Sequence, residues 1–190
     1  MSRATVGDKR ARLVDAAAKL VHEQGFHRTT LADISDESGV PLGNLSYYFK
    51  TKDAIGEAVV DRLACAYDAL RESWESTPDP RDRLTSFIQM TMDNRDVLSR
   101  SGCPVGTLCA ELGKEGGAVA DSATRVLGEL LGWIEAQFRL LGKGAASADL
   151  ANHLLSAIQG TSLLALAFHD SKLVERESRY LRRWVHDLAR

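Results

Sequence analysis

Between Leu42 and Lys52 the chain reads Leu-Gly-Asn-Leu-Ser-Tyr-Tyr-Phe-Lys-Thr-Lys, a run that gathers an amide, hydroxyls and two ammonium groups. The Asn44 carboxamide both donates and accepts, which suits an adenine edge. Gly43 permits close approach of the backbone, and Leu42, Ser46, Tyr47 and Tyr48 share the rest of the helix surface with them. Lys50 and Lys52, just beyond, suit phosphates, as does the hydroxyl of Thr30 upstream. This is chemistry of recognition rather than of bond making.

Two short helices must position these groups. Thr30 caps the first by accepting from the backbone N–H of Asp33, whose carboxylate faces the positive end of the helix dipole. The helix closes at Ser38-Gly39, where glycine takes the left-handed conformation. Val40 plugs the turn, Pro41 opens the second helix, and Leu45 and Phe49, four apart, bury its inner side. The geometry expected is a helix-turn-helix.

A second candidate lies in Gly102-Cys103-Pro104-Val105-Gly106-Thr107-Leu108-Cys109-Ala110-Glu111-Leu112. A thiol just before a helix start sits in the field of unpaired N–H groups, which favours the thiolate and raises reactivity. The alternative is a buried cysteine acting as a small hydrophobe. Enzyme motifs fail. His22 and His27 are five apart where a zinc-protease helix needs four, and Gly25 between them ends the helix, so no metal site is expected. Gly142-Lys143-Gly144 lacks the strand and glycine-rich loop of a phosphate cradle, and no Ser/His/Asp set is indicated. Neither a cofactor nor catalysis is expected.

The 190 residues carry a formal charge of −2, unevenly spread. Residues 1–52 hold eight Lys/Arg against six Asp/Glu, and the remainder sixteen against twenty. The mildly basic end is the helix-turn-helix end, so non-specific DNA binding should be modest and salt-dependent. No stretch reads as a signal peptide or approaches the roughly 20 apolar residues of a membrane span, so the expectation is a cytoplasmic protein without membrane contact. Three cysteines without metal spacing read as thiols.

Strand signals are almost absent, and about nine helices are expected from apolar periodicity and stop signals. The first runs from about Gly7 to Gln24. After the helix-turn-helix pair, a long one runs from near Thr51 towards Trp74. Thr77-Pro78-Asp79-Pro80 opens a helix to about Leu98, and a short one follows from Val105 to Leu112. The last three cover about Val119 to Phe138, Ser147 to Phe168 and Leu173 to Leu188. Phe87, Met90, Trp133, Phe138 and His153 are candidate lining residues of an effector cavity, with Thr107 and Gln159 as polar anchors and Cys103 at its edge. The absence of a charge cluster among them favours a neutral, partly aromatic effector.

From Lys9 to about Val60 the chain resembles the N-terminal domain of the TetR family of bacterial transcriptional repressors. The resemblance rests on Gln24-Gly25-Phe26, Thr29-Thr30-Leu31-Ala32-Asp33-Ile34, Ser38-Gly39-Val40 and the run from Gly43 to Ile55. Ser46 departs from the family, where tyrosine is common before the two tyrosines. The resemblance implies an all-α fold, with a three-helix helix-turn-helix domain over 1–52 and a helical effector-binding and dimerisation domain over 53–190. It also implies a homodimer, joined through the last two long helices, on a palindromic operator in double-stranded DNA, released by a small organic effector that shifts the fourth helix. The glycine-cysteine segment resembles that of a subset responding to electrophiles, oxidants or flavonoid-type effectors. A redox- or electrophile-sensing repressor acting through Cys103 and a non-regulatory architectural DNA binder are the competing expectations. Repression and activation differ only in where the operator lies relative to the promoter.

Overall fold

A computed structural model describes residues 6–188 as ten α-helices and one 3-10 turn, with no strand among the described residues. The first five positions of the expected head and the last two of the chain lie outside the described residues. In order, the helices are α1 (Val6–Gln24), α2 (Leu31–Ser38), α3 (Leu42–Tyr48), α4 (Lys52–Glu75) and α5 (Pro80–Asp93), then α6 (Arg95–Ser101), α7 (Pro104–Leu112) and α8 (Ala118–Leu140). After a 3-10 turn at Gly144–Ala146 come α9 (Ser147–Phe168) and α10 (Ser171–Leu188).

The tenth helix arises because the segment expected to run unbroken to Leu98 divides at Asn94. Asn94 leaves helical geometry (φ −93°, ψ 9°), and its Nδ2 donates to the Met90 carbonyl at 2.8 Å. Its short amide thus competes with the backbone for a terminal carbonyl, which is how asparagine ends a helix without glycine or proline.

Three larger cores lie along the molecule, and a small fourth gathers Leu98, Ala165 and Val174. Leu13, Ala17, Ile34, Val40, Leu45, Phe49, Ile55 and Val59 unite α1 to α3 with the first two turns of α4. Val21, Phe26 and Val60 then meet Val105, Leu108 and Leu112 of α7 and Val119 and Ala123 of α8. The largest core surrounds Trp74, Phe87, Trp133, Ile134, Phe138, Leu154 and Leu181, from α4, α5, α8, α9 and α10. The middle core matters for function, because it ties the helix-turn-helix unit to the rest by packing. α4 passes through all three and, at 24 residues, is about 36 Å long.

Gly144–Phe168 is long and apolar enough, by length and composition, to cross a membrane, contrary to the expectation that no stretch would be. Its apolar content serves two sides. Ala151, Leu154, Ile158 and Ala165 face the interior, whereas Leu163 and Phe168 are 65% and 69% exposed.

Candidate functional site

The helix-turn-helix is rigid for identifiable reasons. Thr30 and Asp33 form a reciprocal capping box, the Thr30 Oγ1 accepting from the Asp33 backbone and the Asp33 carboxylate accepting from the Thr30 backbone. The Thr30 backbone N–H and, after it, the Thr30 hydroxyl lower the pKa of the Asp33 carboxyl below the usual carboxylate range. Gly39 closes α2 at φ 64°. The turn is held by the Ser35 hydroxyl donating to the Val40 carbonyl at 2.8 Å and by the Arg12 guanidinium on the Ser38 carbonyl. Neither Ser35 nor Arg12 was singled out in the sequence, since their role depends on a tertiary approach.

α3 buries Leu45 at 1% exposure and presents Leu42, Gly43, Asn44, Ser46 and Tyr47 to solvent, with Tyr48 half-buried against Tyr47 edge-to-face. Thr30 is exposed as well, its hydroxyl oxygen capping α2. The two lysines differ. Lys50 Nζ donates to the Ser46 carbonyl at 3.0 Å, closing α3, and remains exposed. Lys52 is half-buried: its Nζ donates to the His27 carbonyl at 2.9 Å and lies 4.8 Å from the centre of the Phe26 ring. It therefore fastens α4 to the corner after α1 as well as adding positive charge.

A cavity of about 440 Å³ opens between the helix-turn-helix unit and the bundle. Of the residues expected to line it, Phe87, Met90, Cys103 and Gln159 do so. Thr107, Trp133, Phe138 and His153 lie away from it. Thr107 turns back on its own helix, donating to the Cys103 carbonyl at 2.9 Å. Trp133 packs on Trp74 and Phe87 and donates to Glu75 at 2.9 Å, and Phe138 is fully enclosed in the same core. His153 is exposed, its ring against Trp184 at 4.9 Å. Missed in the sequence were Tyr67 and Leu70 of α4, Val97 and Leu98 of α6, and Ala18 and His22 of α1. The expectation of no charge also needs correction, because Asp15, Lys19 and Arg62 stand at the cavity. Asp15 and Lys19 stand one turn apart on α1, but Arg62 is distant in sequence, so only the packing of α1 on α4 brings it to them.

Polar contacts converge at one end of the cavity on the Cys103 sulfur. It accepts from the Gly106 N–H at 3.5 Å, as cap of α7, and from Gln159 Nε2 at 3.4 Å. The hydroxyl end of Tyr67 is buried and faces the same sulfur; burial, then Cys103, raises its pKa above the ordinary phenol range. Burial likewise raises the pKa of the Cys109 thiol, against the opposing Thr124 hydroxyl, whereas Cys65 is exposed on α4.

α7 connects this cavity to the corner after α1. Next to its N-terminus, the Gly102 carbonyl accepts from His22 Nε2 at 2.9 Å, which fixes that nitrogen as the protonated one. Near its other end, the Glu111 carboxylate accepts from the Phe26 N–H at 2.9 Å and the His27 N–H at 2.7 Å. His27 also pairs with Glu115 at 3.2 Å. No metal-binding group of three or more His, Cys, Asp or Glu occurs among the described residues.

Residues 13–59 match the family described as bacterial regulatory proteins, tetR family. The transcriptional regulator LmrA of Bacillus subtilis is 29% identical over 170 residues, covering 87% of this chain and 90% of that protein. A second regulator of the same organism, YxaF, is 35% identical over 109 residues, 55% of this chain and 56% of its own length. The fold matches that of a TetR transcriptional regulator from Legionella pneumophila over 99% of both chains, with a TM-score of 0.83 at 16% identity. With a helix-turn-helix built as above at one end and a cavity-bearing helical bundle at the other, the chain carries the DNA-binding domain of the tetR family and is a DNA-binding transcriptional regulator.

Proposed function

We propose that this regulator is a homodimeric repressor, acting in the cytoplasm where the chromosome is, that holds a palindromic operator until a small organic effector occupies the cavity. Residues 1–52 are the reading head, seated on the first turns of α4, and 53–190 bind the effector and the second copy. Asn44, Gly43 and Tyr47, with Leu42 and Ser46 beside them, meet base edges, and Thr30, Tyr48, Lys50 and Lys52 meet phosphates. The observation that carries the reading is the position of the cavity, whose wall includes α1 and α4, the helices that hold the reading head, alongside α5, α6, α7 and α9. An occupant therefore touches the elements whose placement sets the spacing of two heads. To turn the operator from almost full to almost empty, it must bind the released form more tightly by roughly 5.5 kcal/mol.

Selection of bound DNA from a random pool at near-physiological salt tests this. The expected product is a palindrome with half-sites about 34 Å apart or a multiple of that. A pool that stays random while binding remains salt-sensitive would establish an architectural DNA binder instead.

The three donors facing the Cys103 sulfur support a second reading, in which the effector is an α,β-unsaturated carbonyl compound. The Cys103 thiolate would form a bond from sulfur to the β-carbon, the carbon–carbon π electrons would move to the enolate oxygen, and solvent would return a proton to the α-carbon. In a Cys65→Ser background, alkylation at neutral pH should then mark Cys103 well before Cys109. Equal rates, together with release of DNA by an enone from Cys103→Ser, would eliminate this reading.

A further inference from the structure

Resting on the reading of the cavity as an effector site, we propose that its ligand is an amphipathic monoanion, with an apolar or aromatic body inside and a carboxylate-like head held at the mouth by Arg62. The interior selects the body. Leu70, Phe87, Met90, Leu108, Leu130 and Ile158 supply an apolar lining. The donors among them are already engaged by the protein. Gln159 and Tyr67 face the Cys103 sulfur, His22 donates to Gly102, Thr91 to Phe87, Ser162 to Ile158 and Asn94 to Met90. A negative charge placed there would lose its hydration without gaining a partner, which apolar surroundings penalise severely.

At the mouth the balance reverses. Arg62 uses its Nε for Asp15 at 2.5 Å, and among the described residues its two terminal Nη groups have no acceptor. The end-on pair of N–H groups on a guanidinium matches the two oxygens of a carboxylate, so one Arg62 can hold Asp15 on its side and a ligand head on its end. Lys19, one turn beyond Asp15 on α1, adds positive potential while donating to Glu37 at 2.7 Å. The head would then lie where α1 meets α4, bridged to both helices through the Asp15–Arg62 pair.

The test is calorimetric titration of the full-length dimer with three tails (octyl, phenylbutyl and naphthylhexyl), each as carboxylate and as primary amide. The expected result is that, for at least one tail, the carboxylate binds ten-fold or more tightly than the amide. Arg62→Met should erase that preference while leaving amide affinity within two-fold. Asp15→Asn, which also breaks the ion pair but keeps the guanidinium, should keep or strengthen the preference, separating head recognition from loss of the α1–α4 contact. If amides bind as tightly as carboxylates, or the preference survives Arg62→Met, the anionic head is overturned and the effector cavity stands. If no tail binds in either form, the cavity reading falls and takes the head with it.

Discussion

A chain carrying Leu163→Glu and Phe168→Glu is expected to elute as a monomer and to bind its operator at least a hundred-fold more weakly, with its helical content unchanged. Along α9, His153, Ser156, Gly160, Leu163, Leu164, Ala167 and Phe168 are all exposed and fall within one face about 140° wide at 100° per residue. Tyr180 of α10 continues the apolar surface at 52% exposure. Four large apolar side chains on two neighbouring helices form a patch of the kind that monomers rarely leave open. Gly160 has open space where a side chain would stand, so a second helix can approach its backbone closely. A second copy related by two-fold symmetry would cover the patch. Joining two heads raises affinity by roughly a hundred- to ten-thousand-fold through effective concentration alone, and that gain is what the double glutamate variant loses. The exchanged side chains touch neither the cavity nor the head. Light scattering and operator titration on the same sample would decide, and a variant that stayed dimeric with intact affinity would move the dimer interface elsewhere.

The helix-turn-helix was legible because its determinants are local. The Thr30 cap, the left-handed Gly39, the Val40 plug and the Leu45/Phe49 pair all act within a few residues of one another. The cavity was only half legible, for a physical reason. Periodicity shows which side of a helix turns inward, but not whether that side meets another side chain or an empty space. Phe87 and Phe138 have the same pattern; one lines the cavity and the other is sealed in the core. His153 looked inward because Ala151, Leu154 and Leu155 beside it are apolar, yet those side chains face the interior while His153 lies on the exposed side of α9. Ala18 and His22 occupy a second, weaker stripe of α1 that acquires meaning only once α4 and α6 pack beside it. The division at Asn94 left a fainter trace, a short amide in a run that otherwise supports a helix.

Glu111→Ala should lower the stability of the protein by about 2–3 kcal/mol, the scale of hydrogen bonds to a charged group, and should weaken the response of DNA binding to an effector even where effector affinity is kept. The carboxylate is the sole acceptor, among the described residues, of the backbone N–H groups of Phe26 and His27, at the corner where α1 hands over to the reading head. Lys52, the first residue of α4, grips the same corner through the His27 carbonyl. α7 therefore holds, near one end, the strap that joins α1 to α4 and, at the other, the Cys103 end of the cavity. A nine-residue helix cannot shift at one end and stay fixed at the other. Movement of its N-terminus around an occupant reaches the corner as movement of Glu111. Glu111→Gln provides the sharper comparison. Its one carbonyl oxygen satisfies one N–H group, while its NH2 opposes the other donor, so it should behave nearly as badly as alanine despite its shape. Urea denaturation would measure the stability loss, and operator titration with and without effector would measure the coupling. Full stability and coupling in the glutamine variant would show that Glu111 contributes only packing, and the link from cavity to head would then have to run through α4 alone.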